Sequence, residues 1–386
     1  MSDAEEIRDG LADGPIRGRG AGLNPGNRFE TVRLHVRGEH LEEELREHPG
    51  GQQVRTQVYA DATKSILNHV DSPDLGFSWT VNPYRGCEHG CIYCYARPGH
   101  EYLALSSGLD FETRIFAKPD APILLREALG KPGWRGEPIV FSGVTDCYQP
   151  IEERLGITRA CLEVCAELAQ PVSIITKNRL VLRDIDVLKT LAEHNAASVA
   201  ISITTLDNAL ASKMEPRASS PRDRLETMRR LAAAGIPVHV MVAPIIPALN
   251  EPEVPAILQA AADAGADDAG YVLLRLPYQI KSLFEEWLER HYPDRAAKVL
   301  NALREMHGGE LYNAEFFSRQ RGTGVRADQI GSTFRLFKRR AGLGSPEGVP
   351  HTEPEETRGG GRWSRLSSGE FLRRRSLGAG QLGLFG

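Results

Sequence analysis

Between about residues 78 and 276 the chain repeats one pattern, a short apolar run followed by a stretch with apolar residues at helical spacing. The runs Trp79–Tyr84, Pro138–Ser142, Val172–Thr176, Val199–Ile203, Val238–Ala243 and Tyr271–Leu276 read as strands. Helical periodicity falls between them, at about 120–130, 155–169, 180–194, 221–234 and 252–264. The tetrad Ala234-Gly235-Ile236-Pro237 marks a helix end with its glycine, followed directly by a strand. Six strands alternating with helices predict an α/β fold with a parallel sheet and right-handed crossovers. The expected architecture is a partial (β/α)6 TIM-type barrel, with chemistry at the C-terminal ends of its strands.

The flanks read differently. Residues 1–77 form an N-terminal extension whose first fifty residues are rich in Gly, Arg and Glu with little periodicity. Gly18-Arg-Gly-Ala-Gly22 and Asn24-Pro-Gly26 are turn chemistry, because no strand precedes them to make a phosphate loop. The core is expected over 78–300 and a helical cap over 301–345. Within the cap, Arg319, Arg321, Arg326, Arg335, Lys338, Arg339 and Arg340 face one acid, Asp328. Ile330, Phe334, Phe337 and Ala341 make an apolar stripe on the same helix. The basic face is either solvated or a phosphate-contacting surface beside the barrel mouth. A Gly/Arg-rich flexible linker is expected over 346–380, with six arginines between Arg358 and Arg375, and 381–386 form a separate tail.

Composition bounds the function classes. With 386 residues the chain can bury one large core, and 41% apolar with 25% charged residues is ordinary for a globular protein. No apolar run approaches the roughly 20 residues needed to span a bilayer, and the first thirty residues lack a signal peptide's apolar stretch. Six cysteines in so long a chain are no disulfide framework. These features predict a cytoplasmic protein without a membrane partner. The net charge of −4 does not favour a nucleic-acid partner by itself.

Chemistry concentrates in Asn82-Pro-Tyr-Arg-Gly-Cys-Glu-His-Gly-Cys-Ile-Tyr-Cys-Tyr95, where Cys87, Cys91 and Cys94 lie in a C-x3-C-x2-C spacing. Three thiolates so close can hold three corners of a cubane [4Fe–4S] cluster, leaving one iron open to an outside ligand. Zinc is the alternative, but a structural zinc takes four protein ligands, so His89 or His100 would have to be the fourth. Polar residues also end the later runs: Ser142 to Pro150, Thr176-Lys177-Asn178, Ser202 to Asp207 with Glu215-Pro-Arg217, and Ala243 to Pro247. Taken singly, Ser202 or Thr204 would cap the next helix, and Lys177 or Arg217 would be a surface charge. Together they outline a barrel active site. Cys161 and Cys165, four apart on a helix with Leu162 and Leu168, read as core.

The chain resembles a bacterial family of radical S-adenosylmethionine (radical SAM) proteins related to spore photoproduct lyase and described as DNA-repair-lyase-like. The words that carry the likeness are Asn82–Ala96, Thr145-Asp-Cys-Tyr-Gln-Pro150, Ile175-Thr-Lys177, Ser202-Ile-Thr-Thr-Leu206, Glu215-Pro-Arg-Ala218, Val242-Ala-Pro-Ile-Ile-Pro247 and Gly270-Tyr-Val-Leu-Leu-Arg-Leu276. The resemblance implies a radical SAM barrel with a [4Fe–4S] cluster on Cys87, Cys91 and Cys94 and SAM on its open iron. It implies that Thr145, supported by Asp146, accepts from the SAM amino group. Lys177 and Ser202, with Arg217 as a second candidate, would hold the carboxylate, and Tyr93 and the Ala243 backbone would meet the adenine. A reducing partner such as flavodoxin or ferredoxin is implied too. In spore photoproduct lyase a cysteine that returns a hydrogen atom to the product precedes the matching Thr-Asp. Here Gly143 and Val144 occupy that stretch and Cys147 follows it, a candidate donor set against the role of a buried apolar thiol.

The expected function is therefore a radical SAM enzyme, lyase-like, acting on a nucleic-acid lesion or modified nucleotide. The alternatives are radical modification of a protein or small metabolite, and a non-catalytic zinc-stabilised binding module. Gln381-Leu-Gly-Leu-Phe385 resembles the peptide by which bacterial polymerases and repair proteins dock on the replication sliding clamp. Leu382, Leu384 and Phe385 would bury in its groove and Gln381 would supply a hydrogen bond.

Overall fold

The computed structural model describes residues 16, 18–29, 54–344 and 366–382, the last five by backbone alone. Among them the strands are β1 (Gln57–Ala60), β2 (Leu67–His69), β3 (Trp79–Val81), β4 (Tyr84–Arg85), β5 (Arg114–Ala117), β6 (Ile139–Phe141), β7 (Val172–Thr176), β8 (Ala197–Ser202), β9 (Val238–Ile245) and β10 (Asp268–Leu273). A seven-stranded sheet runs β10-β9-β8-β7-β6-β3-β2, parallel throughout except for the antiparallel β2. Between its parallel strands run α1 (Ala121–Gly130), α2 (Ile157–Leu168), α3 (Ile185–Ala192), α4 (Pro221–Ala233) and α5 (Val254–Asp263). This is the expected partial (β/α)6 barrel. All six residues of β8 are buried, because a parallel sheet covered by its crossover helices has no wet face.

Two features escaped the pattern. β10 begins three residues earlier than its apolar run, at Asp268, whose carboxylate is paired with Lys338 Nζ at 2.6 Å. A small sheet of order β1-β5-β4 was not anticipated, since its strands are short and partly exposed. The capping alternative for Ser202 and Thr204 is not what the structure shows. Asp207, not Ser202 or Thr204, caps the helix after β8, accepting from Ala209 N at 2.8 Å. Thr204 instead donates to Glu215 at 2.6 Å.

After β10 come α6 (Ile280–His291), α7 (Pro293–Met306) and α8 (Gly324–Arg340). The barrel's open side, between the β10 and β2 edges, is closed by residues 316–321. Arg319 grips Asp74 and Ser72 in the β2–β3 connection, Phe317 N donates to Asp74 at 3.2 Å, and the Arg321 guanidinium lies 4.0 Å from the Tyr271 ring of β10. α8 lies along α5 with Ile330 and Phe334 in the core, as the stripe predicted. Its basic end does not flank the mouth. Lys338 pairs with the first residue of β10, and Gly344 N bonds Asp267 O at 3.0 Å, so Lys338–Arg340 lie by the N-terminal ends of the strands. Arg319 and Arg326 are spent on Asp74, Glu305 and Glu251.

The linker expectation is corrected at its end. α9 (Gly369–Leu382) is a docked helix: Phe371 is buried, and Arg374 donates to Ala166 O and Glu167 O at the C-terminal end of α2. Arg375 bonds Lys131 O, and Ser367 N bonds Asn195 O, so α9 covers the base of the barrel, opposite the mouth. Residues 346–365, and Leu384 and Phe385 of the clamp-like peptide, lie outside the described residues; Gln381 and Leu382 are described by backbone alone. No helix among the described residues is long and apolar enough to cross a membrane.

Candidate active site

The cysteine loop leaves the C-terminal end of β3 and is held from every side. Gly86 and Gly90 adopt positive φ, and a Cβ on Gly90 would lie 2.6 Å from the Glu112 carboxylate. Cys87 N donates to Phe111 O at 2.9 Å and Cys94 N to Cys91 O at 3.2 Å. Arg97, fully buried, donates to Cys91 O at 2.9 Å and pairs with Glu112 at 2.5 Å. Glu112 also accepts from Gly20 N and Ala21 N, at 3.0 and 2.8 Å, which lays residues 18–29 across the loop. A Cβ on Gly20 would come within 1.8 Å of Gly90 O, so only glycine permits this crossing.

All three loop thiols are free, Cys87 and Cys91 buried and Cys94 partly so. Burial pushes each thiol up, and for Cys87 the Asp146 charge and the other two thiols add to the rise. Lys177 and, more weakly, Arg224 favour the thiolate at Cys91. Three desolvated sulfurs that repel one another as thiolates are a donor set that a cationic centre would stabilise, and they fit an iron–sulfur cluster. They do not fit zinc. His89 spends Nδ1 on Asp146 at 3.3 Å and Nε2 on Asn178 at 3.2 Å, and His100 Nε2 bonds Arg114 O at 3.0 Å. Neither supplies a fourth ligand, and no group of three or more His, Cys, Asp or Glu among the described residues forms a single-ion site.

The strand-end residues gather around the loop. Asp146, after β6, accepts from Thr176 Oγ1 at 2.8 Å, Lys177 N at 2.8 Å and Tyr148 N at 2.9 Å. Burial opposes its charge, but His89 and these donors hold the carboxyl below its usual range. Thr145 is buried and donates to Tyr84 O at 2.9 Å, which leaves its oxygen lone pairs to accept. Lys177 is half-buried, has no ion-pair partner among the described residues, and places Nζ 5.9 Å from the Tyr93 ring centroid. Ser202 ends β8, with its carbonyl held by Arg224 at 2.9 Å. The Ala243 carbonyl, in β9, accepts from Thr204 at 3.3 Å.

Two further candidates make contacts within the protein. Arg217 pairs with Glu88 at 3.0 Å and bonds Thr56 at 3.3 Å, tying residues 54–56 to the cysteine loop. Cys147 is wholly buried in the core, its thiol raised by burial and then by Asp146. Sequence reasoning also missed a buried network. Glu215 accepts from the Tyr93 hydroxyl, Thr204 and Arg224, and Arg224 reaches Ser202 O and Ser219 O. Its signal was present in Glu215-Pro-Arg217, a polar word after a strand end. Nothing local announced the Arg97–Glu112 pair.

A family model described as the radical SAM superfamily matches residues 81–261. An uncharacterized protein of Mycobacterium tuberculosis (strain H37Rv) is 36% identical over 62% of this chain and 72% of its own length. A radical SAM Nα-GlyT isomerase of Pseudomonas phage M6 is 25% identical over 44% of this chain and 33% of its own. Among solved structures, spore photoproduct lyase complexed with dinucleoside spore photoproduct superposes with a TM-score of 0.55 at 15% identity, covering 79% of this chain and 93% of that one. With a three-cysteine loop at the mouth of a six-stranded parallel barrel, the chain belongs to the radical SAM superfamily and is a radical SAM enzyme.

Proposed function

We propose that Cys87, Cys91 and Cys94 hold a [4Fe–4S] cluster and that the enzyme abstracts hydrogen from a nucleic-acid lesion or modified nucleotide. The observation that carries the first half is the buried, tethered thiol triad with Lys177 near it and no fourth ligand beside it among the described residues. When bound, the cluster and SAM supply reductive cleavage of SAM to methionine and a 5′-deoxyadenosyl radical. The chain's own residues bind and orient. Lys177, without a carboxylate partner among the described residues, takes the SAM carboxylate through a charge-assisted bond, joined by the Ser202 hydroxyl. Thr145 accepts from the amino group, while Asp146 fixes the β6 and β7 ends that carry Thr145 and Lys177. Tyr93, pinned by Glu215, and the Ala243 backbone flank the adenine. Arg217 serves the loop through Glu88. Cys147 is given no hydrogen-donor role.

The nucleic-acid half is supported by the fold shared with a lyase solved on a dinucleoside photoproduct. A flavodoxin- or ferredoxin-type reductant fits the electron demand. Gln381 to Phe385 are proposed to engage a sliding clamp, which a fluorescent peptide of residues 379–386 and its Leu384→Ala/Phe385→Ala version would test. For the reaction, anaerobically reconstituted protein is incubated with SAM, dithionite and deuterated DNA, RNA or cell extract. Deuterium in 5′-deoxyadenosine from a nucleic-acid fraction is the expected result. Deuterium only from protein or small-molecule fractions would replace the substrate class, and zinc-loaded, colourless protein without SAM cleavage would end the proposal.

A further inference from the structure

We infer that Phe29, Tyr102 and Tyr278, gathered around Arg28 beside the barrel mouth, form a stacking platform for unpaired nucleobases of a single-stranded or locally opened nucleic acid. The inference rests on the nucleic-acid reading above. The three rings come from distant stretches of chain yet lie together, and they are 58%, 75% and 62% exposed. Phe29 and Tyr102 stack obliquely with centroids 5.2 Å apart. The Arg28 guanidinium is 3.7 Å from the Tyr278 centroid and 5.3 Å from that of Phe29. Its Nε is fixed at 2.6 Å on Glu101, a buried carboxylate that Gln279 Nε2 also grips at 2.5 Å. The guanidinium edge is thus held in place while its faces order the rings, whose outer faces meet solvent.

Such a cluster is costly to leave bare, and exposed apolar groups gathered in one place mark a binding surface. Tyr278 additionally holds φ at +54°, a conformation that disfavours a bulky residue. The same segment after β10 carries two unmet polar atoms, Gln279 Oε1 and Arg275 Nε, both buried without a partner among the described residues. Arg275 lies over Tyr95, next to Cys94, at 5.2 Å and has no ion pair among the described residues. Such a cation, on the segment that carries Tyr278, complements a phosphate chain whose bases lie on the rings. Bases inside a duplex are already stacked, so only unpaired ones can use this surface.

The full chain, without added cofactor, is titrated into a 2-aminopurine-labelled single-stranded oligonucleotide and into the same sequence as a closed duplex. The expected result is quenching and at least about tenfold tighter binding of the single strand. Tyr102→Ala and Tyr278→Ala should each weaken it by about five- to a hundredfold, with the salt dependence unchanged, because stacking and not phosphate contact is lost. Tyr102→Phe and Tyr278→Phe should restore binding, and circular dichroism should show every variant folded. Wild-type affinity in both alanine variants, or equal binding of duplex, would overturn the platform while leaving the substrate class standing. Failure of the wild type to bind any DNA or RNA would instead bring down the nucleic-acid reading itself, and the platform with it.

Discussion

Lys177 carries its charge into the site without a carboxylate partner among the described residues, so its removal should cost ligand and not fold. Lys177→Ala is expected to keep iron content while weakening SAM by roughly 1.5–3 kcal/mol, measured by calorimetry on reconstituted protein. Equal affinity would exclude Lys177 from the site. A second residue sets an acid limit. Burial pushes His100 down to about 4, below its ordinary 6.5, so the unfolded chain binds the proton first. Its contribution is complete above pH 6.5 and is lost as pH falls toward about 4. The melting temperature of the isolated chain should decline across that window, and His100→Gln should flatten the decline. At this scale the sequence was legible where chemistry needs fixed spacing, as in Cys87, Cys91 and Cys94. It was silent on Arg97 and Glu112, because fifteen residues of chain hide a contact that only the folded loop creates.

The strap over residues 18–29 shows how an element without periodicity can still be indispensable. Its glycines looked like turns, yet Gly20 is there for close approach to Gly90. Gly20→Ala is expected to leave the barrel folded by circular dichroism while sharply lowering iron incorporation, since the cysteine loop must shift to admit the methyl group. Normal incorporation would mean the strap yields instead. The apolar stripe of α8 was readable because burial imposes a period of 3.6, but the position of its basic end depends on which way α8 runs along α5. With Lys338 at the start of β10, reversing Arg335 and Arg339 to glutamate should change nucleic-acid affinity and its salt slope little. A slope reduced by two would return phosphate contacts to that helix.

For the whole molecule, alternation of strand and helix was enough to give the barrel, since a parallel sheet needs its crossovers. The docking of α9 was not, because a Gly/Arg-rich stretch offers one useful anchor, Phe371, against Gly136. Phe371→Ala should destabilise the chain by roughly 3 kcal/mol in urea unfolding, whereas removing only residues 383–386 should not. Loss of stability on that short truncation would make the tail a structural part of the base. The closure at residues 316–321 carries a different consequence. Elsewhere the barrel wall is joined strand to strand by backbone hydrogen bonds, but between β10 and β2 it is joined through side chains, by Arg319 and Phe317 N on Asp74 and by Arg321 on Tyr271. Side-chain fastenings can be released one at a time and without unzipping a ladder. This line of the wall therefore depends on a few side chains, so replacing Arg319 alone would loosen it without breaking any strand pair.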